Sequence, residues 1–255
     1  MEAVIYICHG SRLEESKHES FQLINKVKNN IPVSIQETCF LELQEPDLAE
    51  TVRRVAAQGA TKILIMPILL LTAGHAKKDI PDMIEKEKNK YPSIAFVYGR
   101  AIEVEQKMVA ILADRVKACT DNVEGMDLLL VGRGSSDMQA VNDTEKLVGM
   151  LRNQFPDNQI DKCFLAASKP KFEPFLWEKV KQGKSVLVLP YLLFTGLLDK
   201  GIKEYIGSLE LKEDQRVLLA DYLGDHPNVV EVLTDRVTEA REGANRYATM
   251  AERSS

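Results

Sequence analysis

Apolar and polar positions alternate along the chain in two different rhythms. Short β-branched runs (Ala3–Cys8, Val33–Leu41, Lys62–Pro67, Ile94–Tyr98) read as strands. Between them lie stretches of about three turns with a helical repeat of apolar residues. In Pro46–Gln58 the residues Leu48, Val52, Val55 and Ala56 share one face, and Gly59 ends the helix. Strand and helix alternate in this way to the end of the chain, which predicts an α/β fold with mostly parallel sheets covered on both sides.

The pattern also repeats. LLLVGRGSSD (Leu128–Asp137) echoes VIYICHGSR (Val4–Arg12), and DKCFLAASKP (Asp161–Pro170) echoes ETCFLELQEP (Glu37–Pro46). LPYLLFTGLLDKGI (Leu189–Ile202) echoes MPILLLTAGHAKKDI (Met66–Ile80). His9 and Arg133, Cys39 and Cys163, and Pro46 and Pro170 are each separated by 124 positions, and Pro67 and Pro190 by 123. Segments in one order at one spacing mark a duplicated unit. The expected organisation is two tandem, homologous, doubly wound parallel-sheet domains, 1–120 and 126–245, joined near Thr120–Gly125, with a cleft between them. Sites in such folds form at the carboxyl ends of strands.

Composition excludes several classes of function. The net charge of −5 argues against a nucleic-acid surface. No apolar run approaches the ~20 residues needed to cross a bilayer, and the N-terminus enters a strand without the basic region of a signal peptide. The cysteines at 8, 39, 119 and 163 show no CxxC spacing. They read as small buried hydrophobes in a reducing, cytoplasmic setting rather than as a zinc, iron–sulfur or disulfide framework.

Duplication provides an internal control for function. Apolar positions persist in both halves, whereas His9 gives way to Arg133, Glu42 to Ala166 and His75 to Leu198. All three first-half residues follow strands, so they are expected to converge on one sheet edge. Two imidazoles and a carboxylate form an N/O donor set with open positions, suited to a first-row metal that must be released again. Gly10 and Ser11, repeated as Gly134 and Ser135, read as a tight strand-to-helix turn. Neither phosphate-binding glycine pattern is present. His18 reads as solvated, His226 as a turn or capping residue, and Trp177 as core.

CHGSR, FLELQEP and MPILLLTAGHAKKDIP, with GRGSSD, LPYLLFTG and LGDHP in the second half, resemble the sirohydrochlorin chelatases, the class II chelatase family. The resemblance covers nearly the whole chain. It implies chelatase-like domains facing a cleft, with His9 and His75 binding metal and Glu42 completing the shell or relaying protons. The implied activity is insertion of ferrous iron into sirohydrochlorin to form sirohaem, with cobalt or nickel as substitutes and no cofactor beyond the metal substrate. Arg12, Lys77, Lys200 and especially Arg133 become candidates for pairing substrate carboxylates, and Ser11 lies beside them. A monomer is expected, because a fused chain needs no partner to complete the site. Some relatives carry a histidine-rich tail, and Thr249–Ser255 contains no histidine. Cobalt insertion for cobalamin and a non-catalytic metal chaperone are the alternatives. A hydrolase using His9 and Ser11 would lack a nucleophile–base arrangement.

Overall fold

A computed structural model describes residues 1–243; the end of the expected second domain (126–245) lies outside the described residues. The first half forms β1 (Glu2–Cys8), α1 (Glu14–Lys28), β2 (Ile35–Phe40), α2 (Leu48–Ala57), β3 (Lys62–Ile68), a π turn (His75–Asp79), α3 (Ile80–Lys90) and β4 (Ala95–Tyr98). After α4 (Gln106–Cys119) the series repeats as β5 (Met126–Gly132), α5 (Met138–Arg152), β6 (Ile160–Phe164), α6 (Phe172–Lys181), β7 (Ser185–Tyr191), α7 (Leu197–Gly207) and β8 (Val217–Leu219). The last element described is α8 (Pro227–Arg241). The strands form two four-stranded sheets, ordered β2-β1-β3-β4 and β6-β5-β7-β8, and every pairing is parallel.

Ala3 to Cys8 are all buried, because each face of β1 meets a helix layer. On one face Ile5, Ile7, Ile63 and Ile65 pack with Val52, Val55, Ile80 and Ile84 from α2 and α3. Full burial of each such side chain contributes about 1.5–3 kcal/mol. On the other face Tyr6 lies under Lys28 of α1, 6.0 Å from ammonium to ring centroid. The second sheet repeats the scheme with Leu129, Val131, Val186 and Val188 against Leu176, Val180 and Ile202. Helix α2 starts where Asp47 accepts a hydrogen bond from the Glu50 amide (2.7 Å) and stops before Gly59 at φ 86°.

The chain forms two compact units: Met1–Glu103 with the segment from Val230 on, and Val104–Val229. Helix α4 follows β4 in sequence but packs on α5 and β7 of the second unit. Most of α8 belongs to the first unit. There the buried Arg236 donates to the carbonyls of Ala101 (3.2 Å) and Ile102 (2.7 Å), and Arg241 pairs with Glu2 (2.9 Å). Arg100 grips Glu239 of α8 with two hydrogen bonds, 2.9 and 3.0 Å. Repeat and compact unit therefore differ in their last helix. None of the helices described is long and apolar enough to cross a membrane.

Two expectations are corrected. Trp177 is 41% exposed rather than core. The buried stripe of α6 is Phe172, Leu176, Lys179 and Val180, and Trp177 falls about 100° beyond Leu176, on the solvent side. Lys179 takes a core place because its ammonium bridges Asp127 (2.6 Å) and Asp161 (2.7 Å). Cys119 is only half-buried, at the end of α4, while the other three cysteines are buried.

Two stability predictions follow from these contacts. A Cβ on Gly10, at φ 93°, would collide with the Glu42 carbonyl oxygen, whereas Gly125, at φ 71°, faces open space. Urea denaturation should show Gly125→Ala costing about 1–2 kcal/mol and Gly10→Ala clearly more. Equal costs would contradict the close approach. The Arg100 guanidinium, helped by Arg236, holds the Glu239 carboxyl below the usual carboxylate range despite partial burial. A lowered folded pKa gives stabilisation that is complete above the unfolded value of about 4.3 and lost as pH falls through the folded one. The stability gap between wild type and Glu239→Gln should therefore be widest near neutrality and close toward pH 3.

Candidate metal site

His9 is the first residue beyond β1, and its backbone is fixed by continuation of the sheet. Leu41 N–H donates to the Cys8 carbonyl (2.8 Å) and Glu42 N–H to the His9 carbonyl (3.2 Å). This pairing draws the loop after β2 against Gly10, where only a glycine leaves room. The second unit keeps the same contacts through Leu165, Ala166 and Gly134, so the clamp outlasts the loss of the histidine and the acid. Ser11 belongs to the clamp: its amide donates to Gln44 Oε1 (3.3 Å) and its hydroxyl accepts from the Leu13 amide (3.2 Å). Ser135 repeats both roles with Ser168 and Asp137. The turn reading of Ser11 thus has a direct structural counterpart.

The chain leaves β3 at Ile68 and reaches His75 through a loop that is pinned to the segment after β4. Ile102 and Glu103 amides donate to the carbonyls of Leu69 (3.0 Å) and Leu70 (2.8 Å). The Thr72 hydroxyl donates to Glu103 Oε1 (2.8 Å). Glu103 sits at φ 64°, a conformation costly for a side-chain-bearing residue; Gly224, at φ 60°, makes the corresponding bond in the second unit. Sequence reading did not single out Thr72 or Glu103.

This loop brings His75 to His9, with ring centroids 4.9 Å apart and planes at 83°. Nδ1 of His9 lies 3.1 Å from the Gly10 carbonyl oxygen and 3.6 Å from Glu42 Oε1. Nδ1 of His75 lies 2.7 Å from Asp79 Oδ2. Carbonyl and carboxylate oxygens only accept, so in the neutral imidazoles Nδ1 carries the proton and the lone pair resides on Nε2 in both rings. The side chains are 24% and 36% exposed, open enough for an ion to arrive and leave. Glu42 meets the other nitrogen of His9, and among the described residues no three His, Cys, Asp or Glu side chains gather as a ready metal cage.

The remaining candidates lie around these edges. Arg12 and Lys77 are exposed in the first unit, and Arg133 and Lys200 are exposed in the second. His18 is exposed beside Gln22, as expected. His226 Nδ1 accepts from the Asn228 amide (3.2 Å) at the start of α8, in agreement with a capping role.

The model of the CbiX protein family matches residues 3–119 and again 127–240. The chain belongs to the CbiX family. Each CbiX match corresponds to one sequence repeat. The sirohydrochlorin ferrochelatase of Priestia megaterium is 41% identical over 250 residues, covering 97% of this chain and 94% of that protein. The sirohydrochlorin cobaltochelatase of Priestia megaterium is 34% identical over 250 residues, covering 95% of this chain and 81% of that one. The solved structure of SirB from Bacillus subtilis with Fe3+ superposes with a TM-score of 0.86 at 35% identity, covering 96% of this chain and 98% of that one.

A two-imidazole site in this CbiX-family chain should take up one Co2+ per chain with modest affinity. Calorimetric titration should show the binding lost in both His9→Ala and His75→Ala. Undiminished binding in either variant would remove that ring from the site.

Proposed function

We propose that this chain is a sirohydrochlorin ferrochelatase that inserts Fe2+ into the macrocycle and releases two protons. The observation that carries the reading is the pair of imidazoles, 4.9 Å apart at the carboxyl end of a parallel sheet, each with its Nδ1 on an acceptor oxygen and its lone pair on Nε2. The full-length similarity to a ferrochelatase and to SirB supports it.

The metal is a substrate here, and its site must bind weakly enough to lose it. Two neutral imidazoles can hold the ion until the four ring nitrogens replace them. A ring that gives up the metal regains a free Nε2 lone pair, which can accept a pyrrole proton. Glu42, beside Nδ1 of His9, is suited to passing that proton outward more than to ligating the ion. Arg12 and Lys77 supply positive charge for substrate carboxylates on an otherwise acidic chain. Arg133 and Lys200 are carboxylate-binding candidates in the second unit, and guanidinium suits bidentate contact. The three buried, unpaired cysteines among the described residues suit a reducing cytoplasm.

Cobalt insertion is the second reading, favoured by the similar cobaltochelatase. Nitrogen ligands accept both metals, so cellular supply decides between them.

The test is optical and anaerobic. Protein is mixed with sirohydrochlorin and Fe2+ or Co2+, and the absorption change is followed against a protein-free control. Wild type should accelerate insertion, with His9→Ala and His75→Ala each slowing it by about 100-fold or more. The ratio of kcat/KM for the two metals ranks them. No acceleration by folded wild type with either ion would overturn the proposal. A charge-reversed Arg133 that leaves the KM for sirohydrochlorin unchanged would remove that residue from substrate binding.

A further inference from the structure

The segment that carries His75 differs from its counterpart by more than the histidine. Buried Ile80 and Ile202 correspond, as do Pro67 and Pro190, yet the first half holds one more residue between them. The extra residue is taken up as the π turn His75–Asp79, in which the Ile80 amide donates to the His75 carbonyl. The second half has an ordinary α-helix there, α7. An added residue in a helix is accommodated in this way, and such turns concentrate at functional sites.

A π turn widens the backbone and needs outside partners for its carbonyls. Here the Tyr98 hydroxyl, from the end of β4, donates to the Ala76 carbonyl (3.0 Å). Sheet register pairs Tyr98 with Ile65 and Leu219 with Val188, so Leu219 stands at the Tyr98 position in the second unit and has no hydroxyl. Counting back from Ile202, Gly201 stands at the Asp79 position. The π turn, its tyrosine tether, Asp79 and His75 are thus all present in one unit and all absent from the other.

Asp79 lies where the π turn runs on into α3, in helical conformation (φ −63°, ψ −47°), and its carboxylate is turned to the imidazole rather than to the backbone. It accepts from His75 Nδ1 at 2.7 Å. A carboxylate on the far nitrogen of a metal-binding histidine fixes the tautomer and the ring direction.

We infer that Asp79, set in place by the tethered π turn, is a positioning residue that holds the His75 imidazole in its Nδ1–H tautomer with Nε2 directed at the incoming metal. The inference rests on the proposed metal-insertion reading. It concerns a residue outside the His9–His75–Glu42 set.

The test uses Asp79→Ala, Asp79→Asn and Tyr98→Phe in the full chain. Asp79 is half-exposed, so the thermal midpoint of Asp79→Ala should stay near that of wild type. Its KM for Co2+ or Fe2+ should rise about 10–100-fold while the KM for sirohydrochlorin holds. Asp79→Asn, whose amide oxygen can still accept from Nδ1, should recover part of the loss. Tyr98→Phe should shift the metal KM in the same direction by less.

Nitrogen-15 spectra of the metal-free protein supply a readout independent of turnover. His75, assigned by comparison with His75→Ala, should show the Nδ1–H tautomer in wild type and a mixture in Asp79→Ala. Unchanged tautomer and unchanged metal KM in Asp79→Ala, or an asparagine variant as impaired as alanine, would overturn the role. A wild type that inserts no metal but still shows the Asp79-dependent tautomer would instead overturn the proposed function and leave the positioning intact.

Discussion

The carbonyl of Glu42 occupies the space that a side chain on residue 10 would need, and the site depends on that close approach. It lets the parallel ladder between β1 and β2 run past the formal strand ends, so that His9 and Glu42 are held by backbone hydrogen bonds rather than by side-chain packing. A ligand on such a backbone loses little freedom when a metal arrives. The same approach between Gly134 and Ala166 shows that the clamp is a property of the scaffold, on which the histidine and the acid stand in one copy only.

Against this fixed half of the site stands a second half of different construction. His75 is seven residues beyond β3 and depends on a loop tied at Leu69, Leu70 and Thr72 to the segment after β4, and then on the π turn. The strained backbone of Glu103 belongs to that tie. One imidazole is thus set by the sheet and the other by a built loop. Under the proposed function, such a two-point site suits an ion that is handed on to four pyrrole nitrogens.

Much of this was legible in the chain. The duplication, the four strands per half and the convergence of His9, Glu42 and His75 all follow from spacing, because strand ends on one side of a parallel sheet must meet. The family resemblance rested on the same residues and agrees with the CbiX match. Other features were hidden for physical reasons. Periodicity shows that α4 and α8 each have an apolar face, but not which sheet receives it, so the exchange of last helices leaves no local trace. Hydrophobicity alone ranks Trp177 above Lys179 for the core, although two aspartates reverse the order. The one-residue excess before Ile80 was present in the sequence, but its meaning as a π turn depends on the Tyr98 tether, which only the tertiary structure brings near.

The most direct test of the account is the position of the metal itself. Crystals of the protein loaded with Co2+ and measured at the cobalt edge should give one anomalous peak about 2.1 Å from Nε2 of both His9 and His75. Glu42 and Asp79 should remain on the Nδ1 sides of the two rings. A peak bound through either Nδ1, or held by residues away from these two histidines, would contradict it.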